Sequence, residues 1–242
     1  MVLNLDHALA PMVRRLALRE KLTDADGDAI LALPFSRRKL LANQFIAWDG
    51  DKAQHCSLLL SGFACRQRNE GGGRRQIMSF HMKGDLVALE NVLLGTVDHD
   101  TQMLTDGEIA LIDVHNMREL ALRHPAVGLG MWIETLVEGS ILREWALNIG
   151  RRDARTRIAH LLCEFALRLE LADLGKQSAY VLPITQGQLA DAVALTSVHV
   201  NRTLMKLEQD GLITRTKRMI SIVAWEKFVK VADFNPRYLT SF

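Results

Sequence analysis

The chain has 242 residues, 48% of them hydrophobic and 24% charged, with a formal net charge of +2 at pH 7. That length fits two small domains, the apolar share excludes a disordered chain, and the near-balanced charge leaves any basic character to be regional. Cys56, Cys65 and Cys163 are odd in number and widely spaced, against a disulfide framework or a Cys-x-x-Cys metal site; with no basic-then-apolar leader and no apolar run of about 18 residues, a cytoplasmic location without membrane contact is expected.

Helical texture opens the chain, over Pro11 to Leu22 and then Thr23 to Leu33, where Thr23 and Asp26 have the spacing of a capping box. From Arg37 to Val114 short apolar runs are broken by Gly and Asp. They are His55–Leu60 before Ser61-Gly62, Phe63–Arg68 before Glu70 and three glycines, Arg75–His81 before Lys83-Gly84-Asp85, and Glu108–Val114. This spacing predicts an antiparallel β-roll or barrel with hairpin turns. The glycine triplet ending at Gly73 reads as a hairpin tip; no Lys-Ser/Thr follows it, as a phosphate loop would need. Val87–Leu94 could line a pocket or be core.

A short helix is predicted over His115–Arg123. After His124-Pro125 a long helix runs from Ala126 to about Ile149. Gly128, Trp132, Thr135, Gly139, Leu142, Ala146 and Ile149 form a seam of small and bulky residues at four-three spacing. Such a seam lets two helices approach closely, as in a dimer coiled coil. The other reading is a single helix packed on its own β-domain. Gly150–Asp153 marks the expected boundary between a sensor-like domain, residues 1–150, and a second domain, residues 151–242. The latter begins with an amphipathic helix over Ala154–Leu171, and a polar loop over Asp173–Ala179 precedes Tyr180–Ile184.

Ile184 to Leu207 is the most informative stretch, with a helix-turn-helix motif expected over Gln186 to Met205. Leu189, Val193 and Leu195 can pack against Val200, Leu204 and Leu207, with the small Ala190 at the crossing. Thr196 is the expected N-cap of the second helix. The outer face of that helix presents Ser197, Val198, His199, Asn201, Arg202 and Lys206, mostly groups suited to base edges and phosphates. Gly211 ends the helix, and Leu212–Ile222 reads as a β-hairpin with Arg215, Lys217 and Arg218 near its tip. Helix, turn, helix and basic wing describe a DNA-binding module, whose local surplus of positive charge supplies phosphate affinity.

A β-roll, a long helix and a C-terminal winged helix, in that order, resemble the CRP/FNR family of bacterial transcription regulators. The resemblance covers nearly the whole chain. It rests most on Asp153–His160, Ile184–Ala190, Val200–Leu204 and Leu207–Ile213. It implies an α+β protein: an N-terminal antiparallel β-roll like that of cyclic-nucleotide-binding domains, a dimerisation helix, and the winged helix-turn-helix. It also implies a homodimer on a two-fold symmetric duplex site, with RNA polymerase as a further partner.

Residues carry over unevenly. Many members have a Glu four residues before an Arg on the recognition helix. Arg202 matches the Arg, but Val198 stands at the Glu position, where an apolar side chain cannot accept from cytosine but could touch a thymine methyl. Nucleotide-binding members carry an Arg-Ser or Arg-Thr pair after a Gly-Glu-Leu segment. The matching stretch here, Gly84 to Thr101, has no arginine and contains Asp98 and Asp100, which repel a phosphate. Leu142-Arg143 replaces the family's Thr-Ser pair on the long helix. These departures argue against cyclic AMP, and the effector is unknown. The chain lacks the N-terminal cysteine cluster of iron–sulfur members, and no cofactor is expected. The alternative is a haem or redox sensor, with His55, Cys56, Cys65, His81 and Met82 as possible ligands in or beside β-strands. A further alternative is a ligand-binding regulatory protein acting through protein contacts. No Gly-x-Ser-x-Gly, His-Glu-x-x-His, Walker or dinucleotide pattern suggests an enzyme.

Overall fold

The computed structural model describes residues 7–240. The opening segment read for a leader, residues 1–6, lies outside the described residues. Contacts divide the chain into two compact units, one of residues 7–68 and 80–139, the other of residues 69–79 and 140–240.

In the first unit, α1 (Ala10–Ala17) starts with Pro11 in its first turn, where the missing N–H costs nothing. It is shorter than the predicted Pro11–Leu22. Its Met12, Val13 and Leu16 are buried. In α2 (Asp24–Leu31) the Thr23–Asp26 capping box closes in both directions, with Asp26 N–H donating to Thr23 Oγ1 (3.2 Å) and Thr23 N–H to Asp26 Oδ2 (2.9 Å).

The β-region consists of β1 (Ser36–Leu40), β2 (Phe45–Ala47), β3 (His55–Ser61), β4 (Ala64–Asn69), β5 (Arg75–His81), β6 (Leu86–Val87), β7 (Asp100–Met103) and β8 (Gly107–Asp113). They form two four-stranded sheets, ordered β1-β8-β3-β6 and β2-β7-β4-β5, and every pairing that the register fixes is antiparallel. Period-two alternation sorts the core. Cys56 and Leu58 of β3, with Ala110 and Ile112 of β8, join the helical cluster of Met12, Leu16 and Ile30. Leu59 and Ile109 face instead Leu40, Ala64, Val87 and Met103. Both faces of this sheet are therefore covered, and β3 is buried without alternation from Cys56 to Leu59, Ser57 included. Gly107 opposes the Ser61 carbonyl at a register shift in β3, where a Cβ would collide with backbone. A 3-10 turn, Leu89–Val92, lies within Val87–Leu94, the stretch read as pocket lining or core; Val87, Ala88, Leu89 and Val92 are core, whereas Leu93 and Leu94 are exposed.

After α3 (Val114–Arg123), the long α4 (Pro125–Arg151) runs for 27 residues. Trp132, Thr135, Leu142 and Ala146 of the predicted seam are exposed, and Leu129, Leu136 and Leu147 lie beside them. Gly128 serves a different purpose: its missing Cβ lets α4 approach the Ala121 carbonyl of α3, 2.8 Å from where that carbon would sit.

The second unit holds α5 (Ala154–Leu171), capped by Asp153, then β9 (Ala179–Val181), α6 (Gln186–Val193), α7 (Ser197–Gln209), β10 (Ile213–Thr216), β11 (Met219–Ile222), α8 (Trp225–Val231) and α9 (Arg237–Thr240). Only Arg152 and Asp153 separate α4 from α5. The three strands form an antiparallel sheet ordered β10-β11-β9. Ile158, Leu162 and Phe165 of α5, Leu189 of α6, Val200, Leu204 and Leu207 of α7 and Phe228 of α8 are buried.

Candidate nucleic-acid interface

Local hydrogen bonds set the two helices of the motif. Thr185 Oγ1 accepts from Gln188 N–H (3.1 Å), and Gln188 Oε1 accepts from Thr185 N–H (2.8 Å), a reciprocal cap that starts α6. Ala194, in the left-handed region at φ 52°, turns the chain out of α6. Thr196 Oγ1 then accepts from His199 N–H (3.2 Å) to open α7. Val200, Thr203, Leu204 and Leu207, at spacings of three and four, are buried. That single buried stripe fixes which face of α7 points outward.

The outward face carries the residues singled out in the sequence. Ser197, Val198, Asn201, Arg202 and Lys206 are exposed, and His199 is half-buried. Val198 is 80% exposed, an apolar group at the leading end of the helix with nothing covering it. The first turn of α7 holds no acidic side chain to cancel the positive end of its dipole. Gln186 was not among the candidate readers, yet its Nε2 donates to Asn201 Oδ1 (3.3 Å), bringing the start of α6 onto the same surface. Only the packing of α6 against α7 makes this pair.

The wing forms as expected, with β10 and β11 joined at Lys217 (φ 57°) and Arg218. Its three basic residues are not equivalent. Lys217 and Arg218 are exposed, whereas Arg215 is half-buried and its Nη2 bonds Glu208 Oε2 at the end of α7. Asp210 is likewise taken by Arg155 Nη1 (2.7 Å). Both acidic groups between Thr196 and Arg218 are therefore neutralised by ion pairs. Among the described residues, no ion pair engages Arg202, Lys206, Lys217 or Arg218, and the surface they share is more basic than the sequence count suggests.

Arg157 ties this module to the end of α4. Its Nη1 donates to the Val193 carbonyl that ends α6 (2.8 Å), and its Nη2 donates to the carbonyls of Ile149 (2.8 Å) and Arg152 (3.0 Å). The cation thus satisfies carbonyls at two helix C-termini at once. Farther in, Glu164 accepts from Trp145 Nε1 (2.9 Å) and Tyr238 OH (2.9 Å) and meets Arg168 (3.2 Å), so the buried carboxylate is fully engaged. Burial beside that carboxylate holds the Tyr238 phenol well above its ordinary range.

The alternative haem ligands do not share one environment. His55 is exposed, Cys56, Cys65 and Met82 are buried in core, and buried His81 lies 3.8 Å from Glu138. Among the described residues no group of three or more His, Cys, Asp or Glu side chains could hold a metal ion.

Residues 156–231 match the Crp-like helix-turn-helix domain, and residues 37–124 match the cyclic nucleotide-binding domain. The chain is 30% identical over 199 residues to the transcriptional activator protein FnrL of Cereibacter sphaeroides, covering 81% of this chain and 79% of that one. It is 25% identical to the nitrogen fixation regulation protein FixK of Azorhizobium caulinodans, covering 84% and 80% respectively. Its fold is similar to that of FixK2 from Bradyrhizobium japonicum, with a TM-score of 0.76, 22% identity, and coverage of 82% of this chain and 98% of that one.

Proposed function

Because the chain belongs to the CRP/FNR family of transcription regulators, we propose that α7 enters the major groove of a two-fold symmetric DNA site as one half of a homodimer. The observation that carries this reading is the exposed face of α7, unobstructed from Ser197 to Lys206, with ion pairs removing the negative charges around it. Arg202 offers a bidentate fork to guanine, and Val198 offers an apolar contact to a thymine methyl. Asn201, positioned by Gln186, with Ser197 and His199, completes the base-reading set. Lys206, Lys217 and Arg218 contact phosphates. Arg215 serves them indirectly by fastening the wing to α7 through Glu208.

The exposed apolar stripe of α4, from Leu129 and Trp132 through Leu136 to Leu142 and Leu147, supports pairing with a second copy of the helix. In this reading residues 1–150 form the sensor with its dimerisation helix, and residues 151–242 form the DNA-binding domain. RNA polymerase follows as a partner from the activators among the relatives, and the bacterial cytoplasm follows as the place of action. No helix among the described residues is long and apolar enough to cross a membrane. No effector is assigned. Against cyclic AMP stands the β-roll interior, where Arg66 is already held by Glu90 and Glu138.

Selection of bound duplexes from a random pool tests the reading. The expected product is a pair of inverted half-sites about one helical turn apart. Failure to retain any duplex at low ionic strength would refute it.

A further inference from the structure

The charges inside the β-roll unit lie outside the proposed DNA-contacting set. Arg66 of β4 is 6% exposed; its Nη2 donates to Glu90 Oε1 (2.8 Å) and its Nη1 to Glu138 Oε2 (3.4 Å) of α4. His81, at the end of β5, brings Nδ1 to 3.8 Å from Glu138 Oε1. His99 lies 3.7 Å from Glu90 through Nε2 and 2.6 Å from the exposed Asp98 through Nδ1. One turn back along α4, Glu134 pairs with Arg15 (2.6 Å) and Arg19 (2.6 Å), and Arg15 also reaches Asp85 (3.2 Å).

Among the ion pairs of the described residues the charges do not balance. Arg15, Arg19 and Arg66 face Asp85, Glu90, Glu134 and Glu138, so with neutral imidazoles the cluster is one positive charge short, even before Asp98 at its rim is counted. Burial holds His99 toward its neutral form, helped by the Arg66 charge. Arg66 Nε, Glu90 Oε2 and His99 Nε2 are buried without hydrogen-bond partners, so the network is incompletely satisfied as it stands.

We propose that this cluster is a proton-responsive latch on α4, in which Glu138 exchanges one proton with solvent and its charge sets how firmly the β-roll holds the helix. Burial, with Glu90, Glu134 and Asp85 nearby and Arg66 opposing, pushes the Glu138 carboxyl up to about 7. A carboxyl raised in the folded state stabilises that state fully below the ordinary glutamate range. The contribution is lost as pH rises through about 7. The protonated form is therefore the closed latch. The ionised form adds an uncompensated charge beside Glu90 and Glu134 and loosens α4.

The test uses the full-length protein labelled with ¹³C at glutamate carboxyls, alongside Glu138→Gln, which keeps the shape and stays neutral. One carboxyl resonance of the wild type should titrate with a midpoint of about 7 and be missing from the variant. Amide exchange along α4, taken as a wild-type to variant ratio, should rise roughly fivefold or more between about pH 6 and about pH 8. No carboxyl titrating above the ordinary range, a titration that belongs to His81, or a flat exchange ratio would each overturn the latch. Should the variant not fold, the wild-type titration still decides, and a midpoint in the ordinary glutamate range overturns it. Neither readout needs DNA, so a failure here is distinct from failure of the DNA-binding reading.

Discussion

Arg202 of α7 stands in solvent, with no ion pair among the described residues, whereas Arg66 of β4 is buried between Glu90 and Glu138. The same side chain thus stands in two environments. An exposed guanidinium stays hydrated and can pair with phosphates, releasing the cations condensed on the DNA, or with a guanine edge, at little cost to the fold. A buried one has given up water, and its energy is committed to the two carboxylates it touches. Sequence charge counts treat them alike, and only environment separates a binding group from a structural one.

Substitutions can break this comparison at either end. Arg66→Ala leaves Glu90 and Glu138 without their cation and should cost about 3–5 kcal/mol of folding stability, read by denaturant titration. A loss confined to a few tenths would mean that the pair is solvated after all. Arg202→Ala should leave stability unchanged and weaken the specific site by about 1–3 kcal/mol while relaxing one base position. An unaltered footprint would remove Arg202 from the interface. Lys217→Gln combined with Arg218→Gln should cut the log–log salt slope of binding by about 2 and weaken all sequences alike. Arg215→Gln sharpens the point: its first effect should be on thermal stability of the second unit, since Glu208 loses its partner. If it instead changed the salt slope as much as Lys217 does, Arg215 would be a phosphate contact. Thr196→Ala should have the smallest effect, about 1 kcal/mol of stability from the lost cap. No change in melting temperature would count against the cap.

Much of the fold was legible because its signals are local. Thr23, Asp153 and Thr196 cap helices through backbone amides only three residues away, and Thr23 and Thr196 could be read as caps from adjacent letters. The stripe of Val200, Leu204 and Leu207 shows in the spacing, and it dictates that Val198, Asn201 and Arg202 face outward. What escaped was non-local. Strand β9 exists because Tyr180 pairs with Ile220, and nothing around Tyr180 announces that partner. The short α8 and α9 at the end of the chain were also unread.

The linear order of residues was enough to define the sequence of elements, the helix-turn-helix and its outward face, since periodicity and capping act within a few residues of chain. Tertiary structure alone decided which charges remain available. It pairs Arg215 with Glu208 and Arg155 with Asp210, and it gathers Arg15, Arg66, Glu90, Glu134 and Glu138 from distant segments into one cluster. The reason is that Coulomb energy and desolvation depend on distance and burial in space.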